Sequence, residues 1–531
     1  MRVLRIGGLQ MGKKFYFVLL SACAEACFAQ APFITSVVGG ADYSDGEMVG
    51  IPLGSIFTIY GTGLAPSTAQ AQAVPLPTTL NGVTAQISSA ASGGSVLGVC
   101  PLWYVSPTQI NAVLLSSLTP GLYYVSILAG SSQSQAWGFL ATSGRFASFS
   151  QSGQGAGPAV VQQYDSSGGP FLNQLTNAAP PGSVLVLWGT GLGPLPSGSD
   201  ASAPPVGTIR NDVTVYVDGV AATPFYAGRA PGLPGVDQIN VALPSGITPR
   251  CFAPLQVVTG TAASGIYTVA LSSGSSVCTS EFGLSPAALA RLQAGGVVQG
   301  AILTLSSVTY SLEIYQTAGA EIDQYDTIHL AAFALEAYGA PANGTGTCGF
   351  YGPSPAQPLS SAPPAASPVI AGPSGCTWVS GFQVSPGCPA SSFAFSGPGY
   401  NATGTFQPPM TPTTIANLSA QWTAQGLAVT WSANLNAAGV ATLTFGSSQA
   451  LLPQPFGPGL ESTTVICTTN ATDTPFVLPA AYAADAFRYA IPMPAELTLT
   501  ATIDQVFPAS GPLDFVLVRT VDSVSAAATI N

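Results

Sequence analysis

Short apolar runs separated by turns rich in glycine and proline occur along the whole chain and predict an all-β protein. The clearest run, residues 56–60, combines the β-branched and aromatic residues that suit a buried strand. Gly54-Ser55 precede this run, and Gly61-Thr62-Gly63 follow it. Because glycine is favoured where a chain turns, we expect the Gly61-Thr62-Gly63 motif to form the turn that ends the strand.

The same arrangement returns about 128 residues further along, where 184–188 form the apolar run and Gly189-Thr190-Gly191 follow it. A repeat of more than about 100 residues indicates duplicated domains rather than a solenoid, whose units are about 20 to 50 residues. We therefore predict that the two motifs occupy equivalent strand positions in two superposable sandwiches. Three further pairs of stretches match in order: 81–87 with 211–217, 103–113 with 225–242, and 120–127 with 264–271.

These motifs also resemble a known family. The Pro-x-Gly-Ser…Gly-Thr-Gly-Leu-x-Pro element, with 75–83 and Tyr104-Val105-Ser106-Pro107-Thr108-Gln109-Ile110-Asn111, resembles the Solibacter-type paralogous C-terminal domain of secreted acidobacterial proteins. That family is similar to bacterial immunoglobulin-like (IPT/TIG-like) modules, and it has no established catalytic residues. The resemblance covers about residues 32–285 and implies two immunoglobulin-like sandwiches. Two features depart from the family: the modules follow the expected signal peptide directly, whereas the family usually lies at the C-terminus of a longer protein, and the first copy has an extra Ser/Gly-rich segment at 88–100.

The second half lacks the repeat and is expected to add further β-structure. Residues 301–315 predict two or three strands. The apolar residues of 326–338 fit neither a helical nor a strand period alone, and the β context favours a strand. Residues 418–422, 427–431 and 441–445 predict strands, 497–503 and 513–519 are expected to close their sandwich, and 479–487 predict a short helix. The expected division of the chain is a signal peptide at 1–29, repeats at 30–145 and 146–285, a β-rich domain at 286–405 with a loop at 352–375, and a C-terminal sandwich at 406–531.

The N-terminus has the features of a secretory signal peptide. Lys13 and Lys14 precede an apolar run at 15–22, and small residues follow, so cleavage is expected after Ala29 or Gln30. An alternative is lipid anchoring at Cys23, because Leu20-Ser21-Ala22-Cys23 resembles a bacterial lipobox. The expected location is therefore secreted or at the cell surface. No later run reaches the roughly 18 apolar residues that a membrane helix needs.

The charge distribution limits the classes of partner. Beyond residue 30 the chain has seven arginines and 21 acidic residues, so the exported part has a net charge near −14. Such a surface repels phosphate backbones and makes nucleic acid a poor partner. An extracellular protein or glycan remains the expected kind of partner, and the sequence does not indicate an oligomeric state.

Seven cysteines follow the signal, and export permits disulfides. Cys251 and Cys278 flank a strand pair in the second repeat, so we expect them to bond. Cys376 with Cys388 would close a Gly/Pro-rich loop, and Cys348 with Cys467 is a further candidate pair. Cys100 is left as a buried free thiol, unless one of these pairings is different.

Few residues offer chemistry. Glu321, Asp323, Asp326 and His329 could hold a divalent cation if their segment were helical, but a surface turn is the simpler interpretation. Residues 42–47 contain oxygen ligands yet lack the spacing of a calcium loop. The sequence shows no serine-nucleophile motif, phosphate loop or zinc spacing. We therefore expect no catalytic, metal or cofactor site, and no activity that depends on His329.

The expected function is non-enzymatic: adhesion, assembly or ligand binding outside the cell by tandem immunoglobulin-like modules. The alternative is a carbohydrate-binding or carbohydrate-active protein in which the repeats are accessory modules. Tyr60 and Trp188 bear on this choice, because exposed aromatic rings bind sugars. Their positions at strand ends favour packing in the core instead.

Overall fold

A computed structural model describes most of the first 338 residues and separate strands beyond them. The described residues are 31–47, 49–92, 94–260, 262–310, 313–338, 347–350, 369–371, 378–379, 382–383, 392–397, 400–405, 414–423, 426–434, 440–451, 460–470, 476–479, 494–507 and 513–529. The predicted signal peptide, Cys23, Cys376, Cys388 and most of the loop 352–375 lie outside them. No helix among the described residues is long and apolar enough to cross a membrane.

The first repeat is a sandwich of two sheets, as predicted. Its strands are β1 (Phe33–Gly39), β2 (Ile51–Pro52), β3 (Ile56–Thr62), β4 (Ala69–Gln70), β5 (Val83–Ser88), β6 (Val96–Val99), β7 (Leu102–Val105), β8 (Gln109–Val113), β9 (Gly121–Ala129), β10 (Ser132–Gln133) and β11 (Trp137–Thr142). One sheet has the order β1-β3-β8-β7-β4, and the other has the order β2-β11-β9-β5-β6 with β10 on β9. Alternate side chains of both sheets fill a core that includes Phe57, Ile59, Ile127 and Phe139.

The second repeat has the same plan. Its strands are β12 (Ala147–Ser148), β13 (Val161–Asp165), β14 (Gly168–Leu172), β15 (Val184–Thr190), β16 (Val213–Val217), β17 (Val220–Ala222), β18 (Tyr226–Arg229), β19 (Asp237–Ala242), β20 (Ala253–Thr259), β21 (Ala262–Ala263) and β22 (Tyr267–Val269). One sheet has the order β14-β13-β15-β19-β18, and the other is β17-β16-β20-β21 with β22 on β20. The fold class is therefore all-β, with tandem immunoglobulin-like sandwiches.

The predicted equivalence of 52–66 with 180–194 is confirmed. Ile56 lies opposite Val113 in the first repeat, and Val184 lies opposite Ala242 in the second, so β3 and β15 hold the same place in their sheets. The side chains before the strands repeat the same hydrogen bond. Ser55 Oγ donates to the Pro52 carbonyl at 2.6 Å, and the Ser183 hydroxyl donates to the Pro180 carbonyl at 2.7 Å.

The Gly-Thr-Gly motif extends the strand further than predicted. Gly61 and Thr62 belong to β3, and Gly189 and Thr190 belong to β15, so only the third residue of each motif begins the turn. Gly63 and Gly191 have φ values of 63° and 106°, which favour glycine. The first glycine allows the neighbouring strand to come close. A Cβ on Gly61 would lie 2.1 Å from the Phe33 carbonyl oxygen of β1, so a side chain does not fit there.

The predicted match of 120–127 with 264–271 is wrong by one strand. Ser134 Oγ accepts from Ile127 N–H at 2.9 Å, and Ser264 Oγ accepts in the same way from Val257 N–H at 3.0 Å. Ile127 therefore corresponds to Val257, and β9 corresponds to β20. The mismatch arose because Gly121-Leu122-Tyr123 of β9 and Gly265-Ile266-Tyr267 at the start of β22 share a Gly-x-Tyr pattern, although the two strands are not equivalent.

The second half adds two helices and long strands. The helices are α1 (Pro286–Gln293) and α2 (Thr327–Tyr338). The strands are β23 (Val298–Tyr310), β24 (Glu313–Tyr325), β25 (Thr347–Phe350), β26 (Val369–Ala371), β27 (Trp378–Val379), β28 (Phe382–Gln383), β29 (Ser392–Gly397), β30 (Tyr400–Thr405), β31 (Thr414–Thr423), β32 (Gly426–Asn434), β33 (Val440–Leu451), β34 (Leu460–Asn470), β35 (Phe476–Pro479), β36 (Pro494–Phe507) and β37 (Phe515–Thr529).

The largest sheet of the second half crosses the predicted boundary at 405/406. Its order is β24-β23-β37-β36-β33-β34-β25, and β23 pairs in parallel with β37. The segments 286–405 and 406–531 therefore share one sheet rather than forming two separate ones. Smaller sheets have the orders β26-β29-β30, β27-β28 and β31-β32-β35. The short helix predicted at 479–487 lies outside the described residues except for Pro479, which ends β35.

The strand predicted over 326–338 is wrong, because this segment is helix α2. Leu330, Ala331 and Ala334 are buried on it, and they join a core with Phe252 of the second repeat. A helix that is apolar around most of its circumference shows no clear period of 3.6, so its pattern resembles that of a strand. Its four alanines favour the helix.

Candidate binding faces and the junction between the repeats

Tyr60 and Trp188 lie on the outer face of a sheet, so the expectation that they pack in the core is wrong. Phe57, Ile59 and Gly61 are buried along β3, whereas Tyr60 is half-buried, and Trp188 has the same place on β15. Because side chains alternate between the faces of a strand, the aromatic ring before each Gly-Thr-Gly motif points away from the core. Both rings are thus available as parts of a surface site.

The outer face of the first repeat places amides beside Tyr60. Gln109 lies opposite Tyr60 on β8, and Asn111 lies opposite Tyr104 on β7. Gln109 Nε2 donates to Asn111 Oδ1 at 2.9 Å, and Thr58 Oγ1 donates to the same oxygen at 3.3 Å. We call the four residues Tyr60, Tyr104, Gln109 and Asn111 the repeat-1 face.

The second repeat builds the same face from equivalent positions. Gln238 lies opposite Trp188, and Asn240 lies opposite Tyr226. The Gln238 amide donates to Asn240 Oδ1 at 2.8 Å, as in the first repeat. We call Trp188, Tyr226, Gln238 and Asn240 the repeat-2 face. The sequence repeat predicts all four matches, but not that the four residues share the outer side of one sheet.

Each face has an exposed tyrosine close to it. Tyr43 is 41% exposed and lies next to Tyr60, whose hydroxyl pKa is raised by burial and by Tyr43. Tyr164, which is 42% exposed, lies on β13 opposite Val184 of β15 and on the same side of the sheet as Trp188. The faces therefore continue into rings that water reaches.

A buried ion pair joins the two repeats. The Arg229 and Asp237 side chains are 1% and 0% exposed and form a salt bridge. Arg229 Nη2 also donates to the Gly193 carbonyl at 2.7 Å and, across the junction, to the Gly54 carbonyl at 2.8 Å. The other Asp237 oxygen accepts from Leu192 N–H at 2.7 Å. This network satisfies both charges where repeat 2 meets the start of β3.

The second Gly-Thr-Gly motif is part of the same junction. Thr190 Oγ1 accepts from Ile56 N–H of the first repeat at 2.9 Å and donates to the Gly235 carbonyl at 2.6 Å. Trp103 Nε1 donates to the Pro234 carbonyl at 3.0 Å. By contrast, Thr62 of the first motif is exposed. The duplicated turn thus has an interface role in one copy only.

The predicted oxygen-rich loop at 42–47 holds Arg145 at the end of repeat 1 and contacts repeat 2 through Tyr43. Asp42 Oδ2 pairs with Arg145 Nη2 at 2.7 Å, and Ser44 donates to the same carboxylate. Burial acts to raise the pKa of Asp42, but Arg145 and the bonds from Ser44 hold that pKa below its ordinary value. Tyr43 OH donates to the Gly153 carbonyl at 2.8 Å. The loop therefore binds protein groups through its first carboxylate.

The predicted cluster around His329 forms the start of helix α2. Asp326 Oδ1 accepts from the backbone N–H groups of Ile328 and His329, both at 2.9 Å, and lies 2.7 Å from His329 Nδ1. Asp326 is thus the N-cap of a helix rather than a metal ligand. Asp323 is buried, and the side chain of Glu321 is outside the description. Among the described residues, no group of three or more His, Cys, Asp or Glu is placed to hold a metal.

The predicted Cys251–Cys278 disulfide is present. Glu281 lies beside it and accepts from the backbone N–H groups of Cys251 and Phe252, both at 3.0 Å. Burial raises the pKa of Glu281 to about 7, even though these bonds and Arg250 lower it. Cys100 is a buried free thiol, as expected, and burial raises its pKa.

The backbone also supports the third cysteine pairing. Cys348 on β25 lies directly opposite Cys467 on β34 in antiparallel register. This register places the two backbones side by side but does not give the positions of the sulfur atoms, so the bond stays a prediction. The pairing of Cys376 with Cys388 also stays a prediction.

No family model and no curated protein matches the chain. The chain shows weak similarity to SGBP-B from a complex xyloglucan utilization locus in Bacteroides uniformis, with 9% identity, 94% of this chain and 100% of that chain covered, and a TM-score of 0.16. The FN1–FN3 domains of chicken CNTN1 show 7% identity, with 94% of this chain and 99% of that chain covered and a TM-score of 0.12. The BSP domain of a biofilm associated protein shows 9% identity, with 96% of this chain and 99% of that chain covered and a TM-score of 0.14. TM-scores this low describe no common arrangement of whole chains, so no functional argument rests on them.

Proposed function

We propose that this chain is an exported binding protein that acts outside the cell through its two immunoglobulin-like repeats, without catalysis. The observation that carries the proposal is the repetition of one aromatic–amide face in both repeats. Core packing alone does not require Gln238 and Asn240 to match Gln109 and Asn111 on the outer side of a sheet. A ligand that both faces bind accounts for the match.

The junction supports the same proposal. Arg229 and Thr190 bond directly to the backbone of the first repeat, so the two faces are held in a fixed relation. A pair of sites held rigidly binds a repetitive partner more tightly than either site alone, because the second contact becomes intramolecular. Adhesion to a surface polymer or to an assembled protein layer fits this arrangement.

The proposal includes export by the N-terminal segment, with secretion or anchoring at Cys23 as the two routes. It also treats the repeats as two copies of the Solibacter-type module. The full-length chain, expressed in a bacterial host, should be cleaved by protease added to intact cells or recovered from the medium. Cys23→Ser distinguishes the routes, because it should release an anchored protein and leave a secreted one unchanged.

Binding is tested with the mature chain on extracellular matrix prepared from the bacterium that produces it. The variant Tyr60→Ala/Trp188→Ala removes one ring from each face. Its matched control is Tyr124→Ala/Tyr216→Ala, because these half-buried tyrosines lie on the outer side of the opposite sheets. The face variant should lose retention and the control should keep it. Equal retention by both variants contradicts the proposal.

A further inference from the structure

We propose that the repeat-1 and repeat-2 faces bind a neutral polysaccharide, an inference that rests on the proposed binding function and names its ligand class. Each face combines aromatic rings with a pair of amides and contains no acidic or basic side chain. Sugar rings present C–H groups to aromatic faces and hydroxyls to amides. The composition of the faces therefore matches a carbohydrate more closely than a charged polymer or an apolar peptide.

The amide pairs leave hydrogen-bonding capacity toward the ligand. Gln109 Nε2 donates its hydrogen bond to Asn111 Oδ1. Within the described part of the chain, Gln109 Oε1 and Asn111 Nδ2 have no protein partner. In the second repeat, Gln238 Oε1 and Asn240 Nδ2 likewise have no protein partner within the described part of the chain. Each face thus offers one acceptor and one donor side by side. Neighbouring hydroxyls of a sugar can donate to the first and accept from the second.

The amides are also oriented before any ligand arrives. In the first repeat Thr58 Oγ1 holds Asn111 Oδ1, and Thr58 is itself buried. In the second repeat Trp188 Nε1 donates to Gln162 Oε1 at 3.2 Å, which fixes the ring beside Gln238. Groups that are ordered in advance lose less conformational entropy when they bind. This preorganisation distinguishes the faces from ordinary exposed side chains.

The charge of the chain separates neutral from anionic polysaccharides. With seven arginines against 21 acidic residues beyond position 30, the exported chain repels polyanions. Arg229, the arginine closest in sequence to the repeat-2 face, is buried in the junction and paired with Asp237. A uronic-acid polymer would therefore meet no cation on the named residues of either face, whereas a neutral polymer needs none.

The test is affinity gel electrophoresis of the full mature chain in gels that contain dextran, glucomannan, mixed-linkage β-glucan, alginate or polygalacturonate. We expect retardation by at least one neutral polymer and by neither anionic polymer. Trp188→Ala and Tyr60→Ala should each raise the dissociation constant about tenfold, the loss expected when one ring stack is removed. Tyr216→Ala and Tyr124→Ala should leave it unchanged.

Two further variants guard against misfolding as an explanation. Gln238→Leu and Gln109→Leu keep the size of the side chain and remove its free acceptor, so they should weaken binding while the near-ultraviolet circular dichroism stays that of the wild type. The inference is overturned if no neutral polymer retards the chain, if alginate or polygalacturonate is bound through the faces, or if control and face variants bind alike. Loss of matrix retention in Tyr60→Ala/Trp188→Ala without any neutral-polymer binding would refute the ligand class and leave the proposed function standing.

Discussion

Removal of the Arg229 side chain is expected to be among the most damaging single changes at the junction. Arg229→Ala leaves the Asp237 carboxylate buried without its partner, and it also removes the bonds to the Gly54 and Gly193 carbonyls. Breaking a buried ion pair from one side typically destabilises a protein by about 3 to 5 kcal/mol. We expect a loss of that size in the stability of the repeats.

The matched control is Arg210→Ala. Arg210 pairs with Asp212 at 2.5 Å, but the side chain of Asp212 is 55% exposed, so water screens the pair. Exposed pairs contribute about 1 kcal/mol or less. The two substitutions remove the same side chain from the same repeat, and they differ in burial and in the bonds to the Gly54 and Gly193 carbonyls. The difference between their effects therefore measures the buried junction.

A double variant separates the ion pair from packing. Arg229→Met/Asp237→Leu removes both charges and keeps most of the volume, and replacing a buried pair in this way is often neutral. We expect it to recover most of the loss caused by Arg229→Ala. Guanidinium denaturation of the full chain, followed by calorimetry, provides the midpoints. A loss below about 1 kcal/mol for Arg229→Ala, or a double variant as unstable as the single one, refutes this account.

Four further predictions concern Glu281, the disulfide and the start of helix α2. Because the pKa of Glu281 is raised to about 7 from 4.5, its contribution to stability is complete below pH 4.5 and is lost as pH rises through 7, so melting temperatures should fall over that range. Glu281→Gln should flatten this dependence by about 3 kcal/mol, and an unchanged slope excludes Glu281 as its source. Cys251→Ala/Cys278→Ala should lower stability by about 3 kcal/mol in denaturant titrations, whereas finding both thiols free by mass spectrometry of the native chain would show that the bond does not form. Asp326→Ala should destabilise by about 1 kcal/mol through loss of the helix cap, and Asp326→Asn should recover part of it. His329→Gln should abolish no activity, so loss of turnover in a folded His329→Gln protein would revive an enzymatic function.

The sandwich repeats could be predicted because their information is local. A strand of β-branched residues, a turn glycine and their order along the chain are all readable in one stretch such as 54–63. The side of the sheet on which Tyr60 lies was harder to predict. Phe57, Thr58, Ile59 and Tyr60 all suit a core, so the run has no alternation to show which residues point inward. Only the packing of β3 against the second sheet decides it.

The junction and helix α2 depend on contacts far apart in sequence. Nothing near Arg229 indicates that it meets the Gly54 carbonyl, 175 residues away. Asp326 and His329 have the spacing of a shared helical face, and that spacing fits a cap as well as a metal site. The backbone N–H groups of Ile328 and His329 both donate to Asp326, which decides for the cap. These bonds belong to the folded helix and cannot be read from the sequence. The sheet that spans the expected boundary at 405/406 depends on distant contacts too, because β23 and β37 pair across more than 200 residues.

The unequal use of the two Gly-Thr-Gly turns shows that the junction depends on residues that the two copies do not share. Repeat 2 docks head to tail on repeat 1 with Asp237 holding Arg229, and Asp237 directly precedes Gln238. At the matching place, directly before Gln109, repeat 1 has Thr108. A further module placed upstream by the same geometry would find no carboxylate there and no buried ion pair to close the contact. The contact that holds the repeats together is therefore a property of the second copy, and the duplicated fold does not supply it by itself.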